Sequence, residues 1–188
     1  SESTHFLFAG NFRSEKTVFP GDFLYTRGGL HLNLEHYSPN RKFHAFINNE
    51  ISQDRNNNTV LDIAQLDIAP DYPLYDSVGN LYNIGGFNPL AYTRQTASNK
   101  TLNLVSNAQF RYTVMSGLDL KINLGVNKIE LSSVLTNPRS ALDPTTNPIN
   151  KAQYANNSNT TYIIEPQAGY NRVKGKSQFN FLLGCTYQ

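Results

Sequence analysis

The sequence predicts an all-β chain: an antiparallel up-and-down meander of about seven strands, an arc of a larger transmembrane barrel. Three observations carry this. Apolar and polar residues alternate with period two along unusually long stretches. Tight and long connections alternate along the chain, and each tight hairpin can be registered so that both apolar sets share one face.

The first alternating segment runs near Thr4 to Arg13, with Phe6, Phe8 and Phe12 on one side. The second, near Phe23 to Tyr37, sets Leu30, Leu32 and Leu34 against His31, Asn33 and Glu35. The third, near Lys42 to Arg55, turns Phe43, Ala45 and Ile47 one way and Lys42, His44 and Asn48 the other. The fourth, near Lys100 to Val114, shows Leu102, Leu104, Ala108, Phe110, Tyr112 and Val114 against Asn103, Asn107, Gln109, Arg111 and Thr113. In the fifth, from Leu118 toward Leu131, Leu118, Leu120, Ile122, Leu124 and Val126 oppose Asp119, Lys121, Asn123 and Asn127. The sixth, near Thr160 to Arg172, places Tyr162, Ile164, Pro166, Ala168 and Tyr170 together. The seventh, Ser177 to Gln188, does so with Phe179, Phe181, Leu183, Cys185 and Tyr187. No segment shows a helical period.

Tight turns are expected at Ser38 to Arg41, Met115 to Gly117 and Val173 to Lys176, and long loops near 52–99 and 136–159. Pairing Tyr37 with Lys42 sets Leu34 opposite Ala45 and Leu32 opposite Ile47. A three-residue loop around Gly117, which supplies a left-handed position, pairs Val114 with Leu118, Tyr112 with Leu120 and Phe110 with Ile122. Pairing Val173 with Lys176 sets Tyr170 opposite Phe179 and Ala168 opposite Phe181.

A soluble β-sandwich also alternates. Against it stand segments of about a dozen residues, where globular strands centre on five or six, and the barrel-like alternation of short and long connections. The second face is rich in Asn, Gln, Thr and Lys, which suits a water-filled or plugged lumen. Hydrophobic residues make up 39% and charged residues only 16%, so much of the polarity is uncharged. A membrane helix is not expected, but barrel strands need only 9 to 11 residues. Seven strands do not close such a barrel, which needs an even number of at least eight, and a chain that opens directly on a strand is expected to be part of something longer. The polar faces with His44, Arg111 and Lys121 are expected to line the lumen, and Leu30, Leu104, Ile122 and Phe181 to face lipid.

The residues DYPLYDSVGNLYNIGGFNPLAY, 71–92, carry an acidic-Tyr-Pro stretch, a D-x-x-G-N turn and then N-P-L-A. This order resembles the first long barrel loop of SusC/RagA-like TonB-linked outer-membrane transporters of Bacteroidetes-type bacteria. HFLFAGNFRSEKTVFPGDFLYTRGGLHLNLEH looks like the strand pair before that loop, NAQFRYTVMSGLDLKINLGVN like the pair after it, and TTYIIEPQAGYNRVKGKSQFNFLLGCTYQ like the next hairpin. The resemblance covers essentially the whole chain. It implies a 22-stranded barrel, a plug and TonB box that these residues do not include, and residence in the outer membrane of a Gram-negative cell, in contact with its lipid. It also implies a SusD-like surface lipoprotein and TonB as partners, and import of glycans or oligopeptides. The 188-residue stretch by itself is not expected to transport.

Tyr72, Tyr75, Tyr82 and Tyr92 in the long loop are candidate contacts for substrate or lid, because a tyrosine ring is flat and amphipathic; loop self-packing is the competing reading. His5, His31, His36 and His44 invite a metal, but His31, His44 and Glu35 read as a solvated polar patch. Asp71, Asp76 and Asn80 depart from calcium-loop spacing and read as a turn around Gly79. The patterns Asn57-Asn58-Thr59, Asn99-Lys100-Thr101 and Asn159-Thr160-Thr161 match glycosylation acceptors and read as accidental in an Asn-rich chain. A single cysteine, Cys185, forms no internal disulfide. A net charge of +2 without a basic cluster gives no footprint for nucleic acid. No catalytic residue, cofactor or metal is expected. The alternatives are a soluble secreted or surface β-sandwich module that binds carbohydrate through the loop tyrosines, and an isolated arc that collapses or pairs through its edges.

Overall fold

The computed structural model describes residues 3–60, 69–82 and 88–188. Seven strands form one antiparallel sheet in sequence order: β1 Thr4–Lys16, β2 Leu24–Tyr37, β3 Phe43–Thr59, β4 Thr96–Met115, β5 Leu118–Asn137, β6 Lys151–Lys174 and β7 Ser177–Gly184. Between β3 and β4 lies a six-residue helix, α1 Pro89–Arg94, which the absence of helical periodicity did not anticipate. Its start is nevertheless written locally, since Asn88 accepts from the Leu90 N–H and Pro89 begins the first turn.

The strands outrun the alternation. β4 and β5 are 20 residues each and β6 is 24, so the expected loops near 52–99 and 136–159 shrink to 60–95 and 138–150. The polar segments 56–59, 96–99 and 151–159 are strand because each lies against a long neighbour: Asn58 faces Ala97 and Ser133 faces Ala155. All three glycosylation patterns consequently lie in strands.

The face assignments hold in every pair, while two registers move by two residues. Leu34 faces Ile47, and the β2–β3 hairpin closes at Tyr37 and His44. Ser38 causes the longer loop: its hydroxyl accepts the Phe43 N–H at 2.9 Å and its own N–H donates to the Phe43 carbonyl at 2.9 Å. Between β6 and β7, Lys174 pairs with Ser177 and Tyr170 with Phe181, because this puts Gly175, with φ of +64°, at the first turn position. At Gly117 the pairs Tyr112–Leu120 and Phe110–Ile122 form as expected, but the strands close at Met115 and Leu118, and the extra residue, Val114, is absorbed as a bulge. Beyond Gly184 the last ladder thins. Pro166 has no N–H to return for the bond that its carbonyl accepts from Cys185 at 3.2 Å, and two-way pairing resumes only at Ile164 and Tyr187.

A sheet ordinarily buries one face against another layer. Among the described residues neither face has one. Among the described residues the buried apolar side chains are Phe23, Ala45, Pro89, Ala91 and Ala141, while Phe6, Phe12 and Phe181 are 65%, 77% and 64% exposed. The chain presents 13366 Å² to its surroundings, where a compact soluble protein of its mass presents about 9,000 Å².

The apolar run also slips as it crosses the sheet. Phe6, Leu34, Ile47, Ala108, Leu124, Ile164 and Tyr187 form one register row. On β1 the run extends from that row toward the long-loop end, as far as Phe12. On β6 it extends mainly the other way, to Tyr170, and on β7 Phe179, Phe181 and Leu183 all lie on the tight-turn side. The three tight turns step in the same direction. On β5 the run stops at Val126, and the next two residues on that face, Lys128 and Glu130, form an ion pair at 2.6 Å.

Candidate functional site

Two regions carry the polar chemistry: the second face of the sheet and the cluster of long loops at one end. On the polar face one row reads Tyr37, His44, Arg111, Lys121 and Gln167, so the three residues expected on that face share one row. The face is stitched laterally. Glu35 accepts from the Tyr37 hydroxyl and bonds the His44 ring, each at 2.9 Å, and that ring stacks on Tyr37 at 4.2 Å. Further along, Gln109 donates to Asn123 at 2.9 Å and Asn123 to Glu165 at 3.2 Å. Asp119 accepts from the Thr113 hydroxyl at 2.6 Å and pairs with Arg111. Such ladders hold a hydrophilic wall flat without enclosing a ligand. His31 lies opposite Ala9 and Glu50 and does not join His44. Among the described residues no three His, Cys, Asp or Glu side chains gather as a metal site.

The described residues of the 60–95 connection, 69–82 and 88–95, form a packed unit. Tyr75 and Leu81 bridge a small hairpin whose turn is Asp76 to Asn80. Asp76 organises it: one carboxylate oxygen accepts the N–H groups of Val78 at 2.9 Å and Asn80 at 2.8 Å, and the other accepts from the Asn80 amide at 3.2 Å. These bonds to the charged form, the Asn80 backbone N–H foremost, hold the Asp76 carboxyl below its usual range. Gly79 closes the turn with φ of +87°. Asp76 is thus the hub of a turn, with both oxygens committed. Asn88, 1% exposed, ties the hairpin to α1. Its amide donates to the carbonyls of Leu74 at 2.9 Å and Tyr82 at 2.8 Å while its oxygen caps the helix.

All four candidate tyrosines lie in this unit. Tyr75 is 54% exposed; Tyr72, Tyr82 and Tyr92 are half-buried, and Tyr72 and Tyr92 are engaged with neighbours. Of the 71–92 stretch, residues 83–87 lie outside those described.

The unit leans on the second long connection, where 3-10 turns run at Arg139–Ala141 and Pro144–Thr146. The Arg94 guanidinium, in the last turn of α1, donates to the Ser140 carbonyl at 2.7 Å. An open cleft of about 610 Å³ lies between the two loops, lined by Asn80, Arg94, Arg139 and Asn150 among others and by none of the four tyrosines. Sequence reasoning missed these residues. Arg94 and Arg139 are 45 positions apart in loops without periodicity, and only the long β4–β5 hairpin, closing Thr96 onto Thr136, brings them together.

No protein-family model matches the chain, and no curated protein matches it.

Proposed function

We propose that the chain is part of the β-barrel of an outer-membrane, TonB-dependent nutrient transporter of the SusC/RagA kind, with its long loops outside the cell and its polar face toward the lumen. The observation that carries the proposal is the slipping apolar band. From the middle of Phe6–Phe12 on β1 to the middle of Tyr162–Tyr170 on β6 the band slips by about one residue per strand, which at about 3.3 Å per residue and about 4.8 Å between strands corresponds to a strand tilt of about 35°, within the range of closed barrels. Soluble barrels tilt their strands as much but fill their interior with the apolar face, whereas here Phe6, Phe12 and Phe181 on that face stand exposed, as a bilayer-facing band would.

The unpacked area supports the same reading, since lipid is the environment in which Phe6, Phe12 and Phe181 can stay uncovered by protein. The free edges of β1 and β7 are completed by further strands, because exposed edges do not persist in a membrane. Import of glycans or oligopeptides, a SusD-like lid and coupling to TonB complete the proposal, on the strength of the 71–92 resemblance.

The test is sedimentation of the purified chain with and without detergent, with circular dichroism on both samples. The expected result is aggregation in buffer and β structure recovered in detergent. A compact β-rich monomer in plain buffer would overturn the proposal in favour of a soluble carbohydrate-binding module.

A further inference from the structure

We infer that the cleft between the two long loops is a binding site for an anionic polyhydroxylated ligand, its carboxylate held between Arg94 and Arg139. As a statement about imported cargo this rests on the barrel reading above; as a statement about binding it stands alone.

Arg94 and Arg139, both exposed, line the same cleft. Arg94 spends one N–H on the Ser140 carbonyl, next to Arg139, whose side chain, among the described residues, bonds Asn147 at 3.5 Å. Neither arginine has an ion-pair partner among the described residues. Of the described carboxylates nearest in sequence to the lining, Asp76 is committed to its own turn, and one oxygen of Asp143 accepts from the N–H and hydroxyl of Thr145 at 2.9 and 2.7 Å. Each guanidinium carries five donors and both side chains face solvent, so most of these N–H groups can exchange water for the oxygens of a carboxylate, which matches their planar forks.

The rest of the lining points to hydroxyls rather than to a bare ion. Asn150 spends its oxygen on the Arg139 N–H at 2.7 Å, which leaves its amide hydrogens to donate. Asn80 spends its amide nitrogen on Asp76, which leaves its oxygen to accept. A donor and an acceptor beside the apolar rings of Pro138 and Pro144 suit a sugar ring carrying an acid. The volume, about 610 Å³, falls in the range of small-ligand sites.

Calorimetric titration of the full chain, refolded in detergent, with oligogalacturonate and with its neutral methyl ester tests this. The acid is expected to bind at least about tenfold more tightly than the ester, as charge-assisted bonds require, and inorganic phosphate should compete. Arg139→Gln should abolish the preference with circular dichroism unchanged, and Arg139→Lys should restore part of it. Because Arg94 also joins the two loops, Arg94→Gln is the confirmatory variant only. Equal binding of acid and ester, or an unchanged preference in Arg139→Gln, would overturn the inference. Binding of neither probe by a chain that enters detergent as a β-rich monomer would overturn the cleft and leave the barrel standing. Acid-selective binding by a chain soluble without detergent would do the reverse.

Discussion

Replacing Ile122 with arginine tests the face assignment most directly. Ile122 lies at the middle of the β5 apolar run between Leu118 and Val126, with Phe110 and Pro166 as its lateral neighbours, neither of which can pair with a cation. Four residues at about 3.3 Å, tilted about 40°, put it about 10 Å inside either end of the band. An arginine there should cost about 2 to 4 kcal/mol, and the same change at Val126, beside the Lys128–Glu130 pair, about 0 to 1 kcal/mol. Lys121, on the other face and directly opposite Arg111, should tolerate alanine within about 0.5 kcal/mol, because facing like charges contribute nothing favourable. The assay is reversible urea unfolding of the full-length protein in lipid vesicles, followed by far-ultraviolet circular dichroism. Equal losses at Ile122 and Val126 would refute the membrane-depth argument. A greater loss from Lys121→Ala than from Ile122→Arg would invert the faces.

Two further outcomes can be checked with the same preparation. Gly117→Ala should destabilise by more than about 2 kcal/mol: its φ of +86° is left-handed, and a Cβ would lie 2.1 Å from the Asn171 carbonyl oxygen, endangering the bond from Asn171 N–H to Gly117. Gly175→Ala, left-handed but with nothing within 4 Å, should cost only the backbone term of about 1 kcal/mol, and equal effects in urea melts would contradict this. As pH falls from neutral through the depressed Asp76 value, the loop turn should lose stability, since a carboxyl held below its usual range contributes only while ionised. Protection of the Val78 and Asn80 amides, measured against the intrinsic exchange rate at each pH, should therefore fall on acidification in the wild type and be low at neutral pH in Asp76→Asn; pH-independent protection would refute it.

Much of the sheet was legible because its information is local. Period two assigns Leu30, Ile122 and Phe181 to one face and His44, Arg111 and Lys121 to the other without reference to any partner, and the left-handed positions at Gly117 and Gly175 are announced by glycine itself. Parity, however, is blind to a slip of two. The register at Tyr37–His44 was settled by the Ser38 hydroxyl taking the Phe43 N–H, and that at Lys174–Ser177 by which turn position Gly175 had to occupy.

The loop chemistry was less legible. The tyrosines drew attention as side chains, whereas Asn88, the most buried side chain among those described, acts through two carbonyls that no sequence pattern displays. Its cap role was readable in Asn88-Pro89, but the hairpin it ties down was not.

By itself the sequence determined the class, the faces and the sites of the tight turns, because alternation and backbone conformation are properties of neighbouring residues. The tertiary structure decided how far the strands run and what the loops bring together. The Asn- and Ser-rich ends of β3, β4 and β6 have no amphipathic reason to be strand and are held there by the ladders of their neighbours. Arg94 and Arg139 meet only because a 20-residue hairpin carries both loops to one end of the sheet, a long-range consequence of pairing that no local pattern encodes.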